Sequence, residues 1–319
     1  MNSPSTDQLS RDITWILFSP SLFGPTAADC FISQPLAGCP ANSFNLSEKD
    51  AQDILWKLAR RRSHLLGIYY ETLWQHILQM HPDTQLLAHN LQVQSEQVTL
   101  GEFDLIYRQS QLADNHQPFY HRELAVKYYL GVPGIDSQNS PWRCWVGPGL
   151  RDRMDRKLNR MLNHQITLSD TDAGKQVLEH LGIEKVTQEV LIQGYLFYPT
   201  EGLCPEPEVA NPEHLRGYWV AISQLESWLQ ERDSDETGEL HFIRLPKLQW
   251  LSKFHRQETP DRVYTRQRLT AHLKVQLHSN PQPVLVSACL LQENIFSEAF
   301  RFFVVPDNWL ENARKVAAI

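Results

Sequence analysis

Around His81-Pro82-Asp83 the hydrophobic pattern changes period, from helical to alternating, and this switch limits the possible folds more than any other feature. Before it, Ile54, Leu55, Leu58, Leu65, Ile68, Leu73 and Ile77 recur at helical spacing, which lets one face of a helix be buried. Ser47, with Asp50 three residues on, is a start signal: hydroxyl and carboxylate can cap each other's backbone N–H groups. A long helix is predicted over Ser47–Met80, with a break near Ser63. After the switch, Leu91–Gln94, Thr99–Gln109 and Phe119–Leu130 read as strands, the last two separated by the turn-rich Ala113-Asp114-Asn115-His116. Links this short favour antiparallel neighbours.

Gly147-Pro148-Gly149 then precedes a helix predicted over Leu150–Asn163, and Glu189–Tyr198 reads as a further strand. The order is helix, three strands, helix, strand, so the expected class is α/β. Residues 1–46 are expected to cover this core, with a packed arm or short helix over Asp12–Phe23 that ends at Ser19-Pro20. Residues 47–199 form the core itself. A Pro- and Glu-rich connector, Glu201–Pro212, leads into residues 200–319. That region is an α+β extension with strands at Gly217–Ile222, Phe242–Leu245, Val284–Leu290 and Ala299–Val305 and a helix over Arg262–Leu277. It is either a second domain or an elaboration that lengthens the first sheet.

Several function classes find no support. No apolar run approaches the ~20 residues that a membrane span needs, and the amino terminus lacks a basic segment followed by an apolar one. The five cysteines are scattered without a CxxC spacing, which indicates neither a disulfide framework nor a zinc knuckle and suits a reducing cytoplasm. A formal charge of -7 argues against coating nucleic acid through overall electrostatics and leaves room only for local basic patches. Phosphate loops, dinucleotide glycine fingerprints and esterase elbows are missing from the sequence, so no nucleotide cofactor is expected.

Three segments carry chemistry: Leu66-Gly67-Ile68-Tyr69-Tyr70-Glu71 on the helix, Gly101-Glu102-Phe103-Asp104 on the second strand, and Glu123-Leu124-Ala125-Val126-Lys127 on the third. Alternation along a strand puts Glu102 and Asp104 on one face, and His121, Glu123, Ala125 and Lys127 on one face of the next. If these faces coincide, acids from neighbouring elements converge on Lys127, with Glu71 approaching from the helix. That is a divalent-metal site in outline, because Mg²⁺ or Mn²⁺ takes oxygen ligands and activates water for attack on phosphate. The competing reading is a cross-strand charge pair on a solvated face. His121 is read as a hydrogen-bonded partner of the acids.

These residues resemble the PD-(D/E)XK nuclease superfamily, with its α-β-β-β-α-β core and mixed sheet. The resemblance implies Asp104 as first acid and metal ligand, Lys127 as the lysine and Glu71 as the helical glutamate. In that pattern the second acid stands two residues before the lysine, where this chain has Ala125, while Glu123 lies four before. In a regular strand Glu123 and Lys127 would be about 13 Å apart. Either a bulge shortens that gap, or Glu102 and Glu71 supply the missing oxygens, or the site is degenerate. The whole chain, including Trp15 to Pro20 and Trp145-Val146-Gly147-Pro148 with Arg151-Asp152, also resembles an uncharacterised bacterial family, domain of unknown function 1853.

Basic residues supply a candidate nucleic-acid surface. Arg153, Arg156, Lys157 and Arg160 flank the apolar stripe of the helix after Gly149, Arg151 stands at its start, and Arg60-Arg61-Arg62 lies near Glu71. A helix start after a Gly-Pro-Gly turn can also accept a phosphate. The expected activity is Mg²⁺- or Mn²⁺-dependent phosphodiester cleavage of nucleic acid, DNA more than RNA. The alternative is a catalytically degenerate nuclease fold that binds nucleic acid or a protein partner.

Overall fold

Ser47 and Asp50 do cap each other: the Ser47 N–H donates to the Asp50 carboxylate and the Asp50 N–H to the Ser47 hydroxyl, both at 3.2 Å. They open helix α2 (Glu48–Arg60). The predicted helix is divided, as the expected break near Ser63 requires: α3 (Leu66–Met80) starts anew after an extended Leu65. Ser63, with Arg61 and Arg62, lies outside the described residues. The computed structural model describes residues 4–24, 30, 36, 46–60, 65–96, 98–110, 118–135, 140–235 and 238–318. Within them the chain forms two compact units, residues 1–126, 156–193 and 209–214 in one, and 127–155, 194–208 and 215–319 in the other.

In the first unit, α1 (Thr6–Phe18) begins earlier than the predicted arm because the Ser5 hydroxyl caps Gln8 N–H. The strands are β1 (Thr84–Ser95), β2 (Val98–Gln109), β3 (Phe119–Gly131) and β5 (Thr187–Pro199), neighbours in that order. Both β1–β2 and β2–β3 are antiparallel. Strand β1 extends well before the predicted Leu91, and its backbone is irregular: the register shifts after Leu86 and after Val93, and Asn90 has a φ of +47°.

The helix predicted from Leu150 does not start there. Leu150 takes a left-handed φ of +61°, which helical backbone excludes, and α4 begins at Met154 and runs to Arg160. It then widens into a π turn (Met161–Gln165), tightens into a 3-10 turn (Ile166–Asp170) and restarts as α5 (Asp172–His180), an element that the hydrophobic spacing does not reveal. Leu168 and Leu178 pack here with Val93, Phe103, Ile106 and Ile183. The 3-10 turn comes so close that a side chain at Gly101 would meet Leu168 at 2.9 Å.

The core of the first unit also holds an ion pair. Arg122, 2% exposed, donates to one oxygen of Glu189 from Nε and Nη2, both at 2.8 Å. The Tyr107 hydroxyl donates to the same oxygen at 2.6 Å, and the guanidinium stacks 5.0 Å from the rings of Trp74 and Tyr107.

Strands β3 and β5 end in the second unit, where β4 (Trp145–Val146) pairs antiparallel with the end of β3. There β5 runs parallel to β6 (Leu215–Ala221), and β6 parallel to β10 (Ile295–Val305). Strands β9 (Val284–Gln292) and β7 (Leu240–Arg244) continue antiparallel, and β8 (His255–Arg256) pairs with β10. Parallel and antiparallel pairs thus occur in one mixed sheet, and the chain is α/β. Helices α6 (Leu225–Asp235) and α7 (Arg266–Ser279) share a core with it, built on Leu229, Leu269, Leu273, Phe242, Val286 and Phe302; α8 (Trp309–Ala318) follows β10. Neither α6 nor α8 is evident from hydrophobic spacing. Cys144 and Cys204, far apart in sequence, are both buried thiols with sulfurs 3.6 Å apart. Among the described residues no helix is long and apolar enough to cross a membrane.

Candidate metal centre

The antiparallel ladder of β2 and β3 runs from Arg108–Phe119 to Leu105–Arg122. One step beyond it, a carboxylate takes the place of a backbone acceptor: Asp104 Oδ2 accepts the Leu124 N–H at 2.9 Å. Asp104 and Glu123 meet there, close enough for their carboxyl groups to hydrogen-bond. The structure therefore joins Glu123 to Asp104 across the strands, whereas its spacing from Lys127 along the strand had argued against a common centre.

The pair is held in a nearly dry setting. Glu123 is 0% exposed; its Oε1 accepts from His121 Nε2 at 3.0 Å and its Oε2 from Gln165 Nε2 at 2.8 Å. Burial pushes Glu123 up to about 7, against the pull of its hydrogen bonds and of Lys157. Asp104 is raised well above the usual carboxylate range, first by desolvation and then by the charges of Glu123 and Glu71, with the Leu124 N–H and Lys157 pulling the other way. Burial pushes His121 down to about 4, so at neutral pH it is an uncharged donor to Glu123. Its Nδ1 finds no partner among the described residues.

Two more of the expected acids join through a residue that motif reasoning passes over. Asn90 stands between the pairs His89–Leu105 and Leu91–Phe103, which places it across from Asp104. Its amide nitrogen donates to Glu102 Oε1 at 3.0 Å and to Glu71 Oε2 at 3.3 Å, and its oxygen accepts from Gln75 at 3.0 Å. Asparagine tolerates positive φ, and an Asn immediately before the predicted Leu91–Gln94 strand was the available signal.

The ammonium acting on both acids is Lys157 of α4. It donates to Gln165 Oε1 at 2.9 Å, and Gln165 in turn donates to Glu123. Lys127, the expected lysine, lies in the second unit and bonds Asp152 at 2.5 Å, an oxygen that also accepts from Tyr129 at 3.0 Å. The expected basic surface is reduced. Arg60, Arg151, Arg156 and Arg160 are exposed, with Arg60 stacked on Trp56. Arg153 is buried, bound by Asp155 and by the carbonyls of Val316 and Ala317. Arg151 and Arg153 precede α4 instead of lying on it, so the predicted phosphate-accepting helix start after Gly149 is absent.

Among the described residues no three His, Cys, Asp or Glu side chains are grouped to hold a metal ion. A hard divalent cation needs fewer: one or two carboxylates suffice when waters and substrate phosphate complete its shell. Asp104 and Glu123 suit that role, because a cation would offset the burial that raises both and the repulsion from Glu123 and Glu71 that raises Asp104 further. Protons must then compete with metal. Glu123 is protonated well below about pH 7 and ionised well above it, and burial holds Asp104 protonated beyond the usual carboxylate range. Saturating Mn²⁺ is expected to raise the melting temperature at pH 8, by an increment of about 3 kcal/mol at a hundredfold excess over Kd, and to leave it unchanged at pH 5. Equal shifts in thermal melts at the two pH values would contradict this.

A family model described as a domain of unknown function (DUF1853) matches residues 11–305. No curated protein and no solved structure matches the chain.

Proposed function

The chain belongs to the DUF1853 family, whose description carries no activity, and from its acid pair we propose that it is a divalent-metal-dependent phosphodiesterase acting on nucleic acid. The observation that carries this reading is the buried Asp104–Glu123 pair at the end of a strand ladder, raised in pKa and faced by Lys157. In the same reading α3, β1, β2, β3, α4 and β5 form a PD-(D/E)XK-like core within residues 47–199. The strand order β1-β2-β3-β5 supports it. Function in a reducing cytoplasm and a preference for DNA belong to the proposal.

Asp104 and Glu123 would hold Mg²⁺ or Mn²⁺, with Glu71 and Glu102 tied behind them through Asn90. The bound ion would polarise the phosphate and lower the pKa of the attacking water. His121 and Gln165 fix the Glu123 carboxylate. Lys157 takes the role that the resemblance gave to Lys127: it stabilises charge developing on the phosphate. Lys157→Met is expected to lower kcat about 100-fold, against less than about 10-fold for Lys127→Met. Melting temperatures serve as a check on folding, and the opposite ranking would return the role to Lys127.

Cleavage assays on single- and double-stranded DNA and RNA with Mg²⁺ or Mn²⁺ test the proposal, and inertness on all of them rejects it. That no third ligand is grouped with the pair among the described residues, together with Ala125, favours a second reading, a degenerate nuclease fold that binds nucleic acid or protein. Calorimetric silence toward Mn²⁺ beside salt-dependent nucleic-acid binding selects that reading.

A further inference from the structure

The second unit contains a cavity made by strand divergence. Strands β5 and β6 pair from Tyr195–Leu215 to Pro199–Trp219, but the β6–β10 ladder begins only at Tyr218–Phe302. Earlier in β10, Phe296 and Ser297 pair with β8, and the register against β9 shifts between Glu298 and Phe300. Such bulges re-aim side chains and end pairing. The opening between the start of β6 and this bulge is a cavity of about 320 Å³, within the range of small-ligand sites.

Its lining combines rings and cations. Tyr198, Tyr218 and Phe300 are half-buried walls, and Arg216 and Lys253 are exposed at the mouth. Arg301 is committed to the frame: it is 1% exposed, paired with Glu298, bonded to the carbonyls of Trp250 and Ser252, and stacked over Tyr195. Its charge is therefore balanced by Glu298. Arg216 differs, since it lies over the Tyr198 ring and its partner Glu206 is a surface acid, and exposed pairs of this kind exchange readily.

We propose that this cavity binds a nucleotide unit, its planar base on the Tyr198 ring in the place that the Arg216 guanidinium holds without ligand, and its phosphate between Arg216, swung off the ring, and Lys253. Aromatic walls accept any base through stacking, and two mouth cations select the phosphorylated form. The site lies in a different unit from the Asp104–Glu123 pair and needs neither metal nor cleavage, so it stands independently of the activity proposed above.

The test titrates the full chain, free of divalent metal, with nucleoside monophosphates, nucleosides and inorganic phosphate in separate calorimetric and saturation-transfer NMR runs. The expected result is saturable binding of the nucleotides, with nucleosides and phosphate each at least about tenfold weaker. Arg216→Ala with Lys253→Ala should weaken nucleotide binding about tenfold or more without changing the melting temperature, because both side chains are exposed. Asp104→Asn should bind as the native protein does. No saturation with any nucleotide up to about 10 mM, equal affinity for phosphate alone, or indifference to the double substitution would overturn the proposal.

Discussion

Asp104→Asn is expected to lower metal-dependent cleavage by about 1,000-fold or more and, in metal-free buffer, to make the protein more stable. Both effects come from one oxygen pair. Asparagine keeps an acceptor for the Leu124 N–H but removes the negative charge that would share a cation with Glu123. Without metal, that charge is a cost of burial. The sign follows from proton binding: both acids have folded pKa values above their unfolded ones, so the folded state binds more protons through the intervening range. Native stability is highest below about pH 4.5 and falls as pH rises through about 7. The variant escapes part of that fall. Its gain should vanish below the unfolded Asp pKa of about 3.9 and grow as pH rises toward 8. Differential scanning calorimetry of the two proteins across that range decides the matter; a variant less stable than native at pH 8 would contradict the buried-pair description.

Arg122→Met carries the largest expected loss of stability, about 3–5 kcal/mol. The arginine stem and guanidinium fill the space between Trp74 and Tyr107, which Met can largely occupy. The loss arises from Glu189, left largely buried without the guanidinium and with the Tyr107 hydroxyl still donating to it. A second change, Glu189→Leu, removes the stranded carboxylate and should restore much of the loss, since well-packed apolar replacements of buried pairs are often neutral. Urea denaturation of both single variants and the double one measures the coupling. Additive losses would show that the pair contributes nothing as a pair.

The strands that bear the acids were legible because their signals are local. Strands β2 and β3 follow two-residue alternation with turn residues between them, and Ser47 and Asp50 cap within one turn. Asp104 and Glu102 were recognisable together because strand alternation places both on one face of β2 without reference to the rest of the chain, while Glu71, on α3, came from the resemblance. The partners that complete the site were hidden because they come through space. Lys157 read as part of a basic flank, and only the π turn reveals that it shares Gln165 with Glu123. Glu123 was measured against Lys127 along one strand, while its actual partner stands across the ladder. The left-handed Leu150 and the contact of Cys144 with Cys204 leave no periodic trace either.

The π turn at Met161–Gln165 has one consequence that depends on counting residues. An α-helix in its place would close the same turn with one residue fewer. Closing that turn as α without removing a residue would rotate everything after it by about 100° and swing Gln165 off Glu123. The bond that joins Lys157 to the acid pair is thus set by the width of one turn, and an α turn of the same residues would cut it while every charged group of the site remained in place.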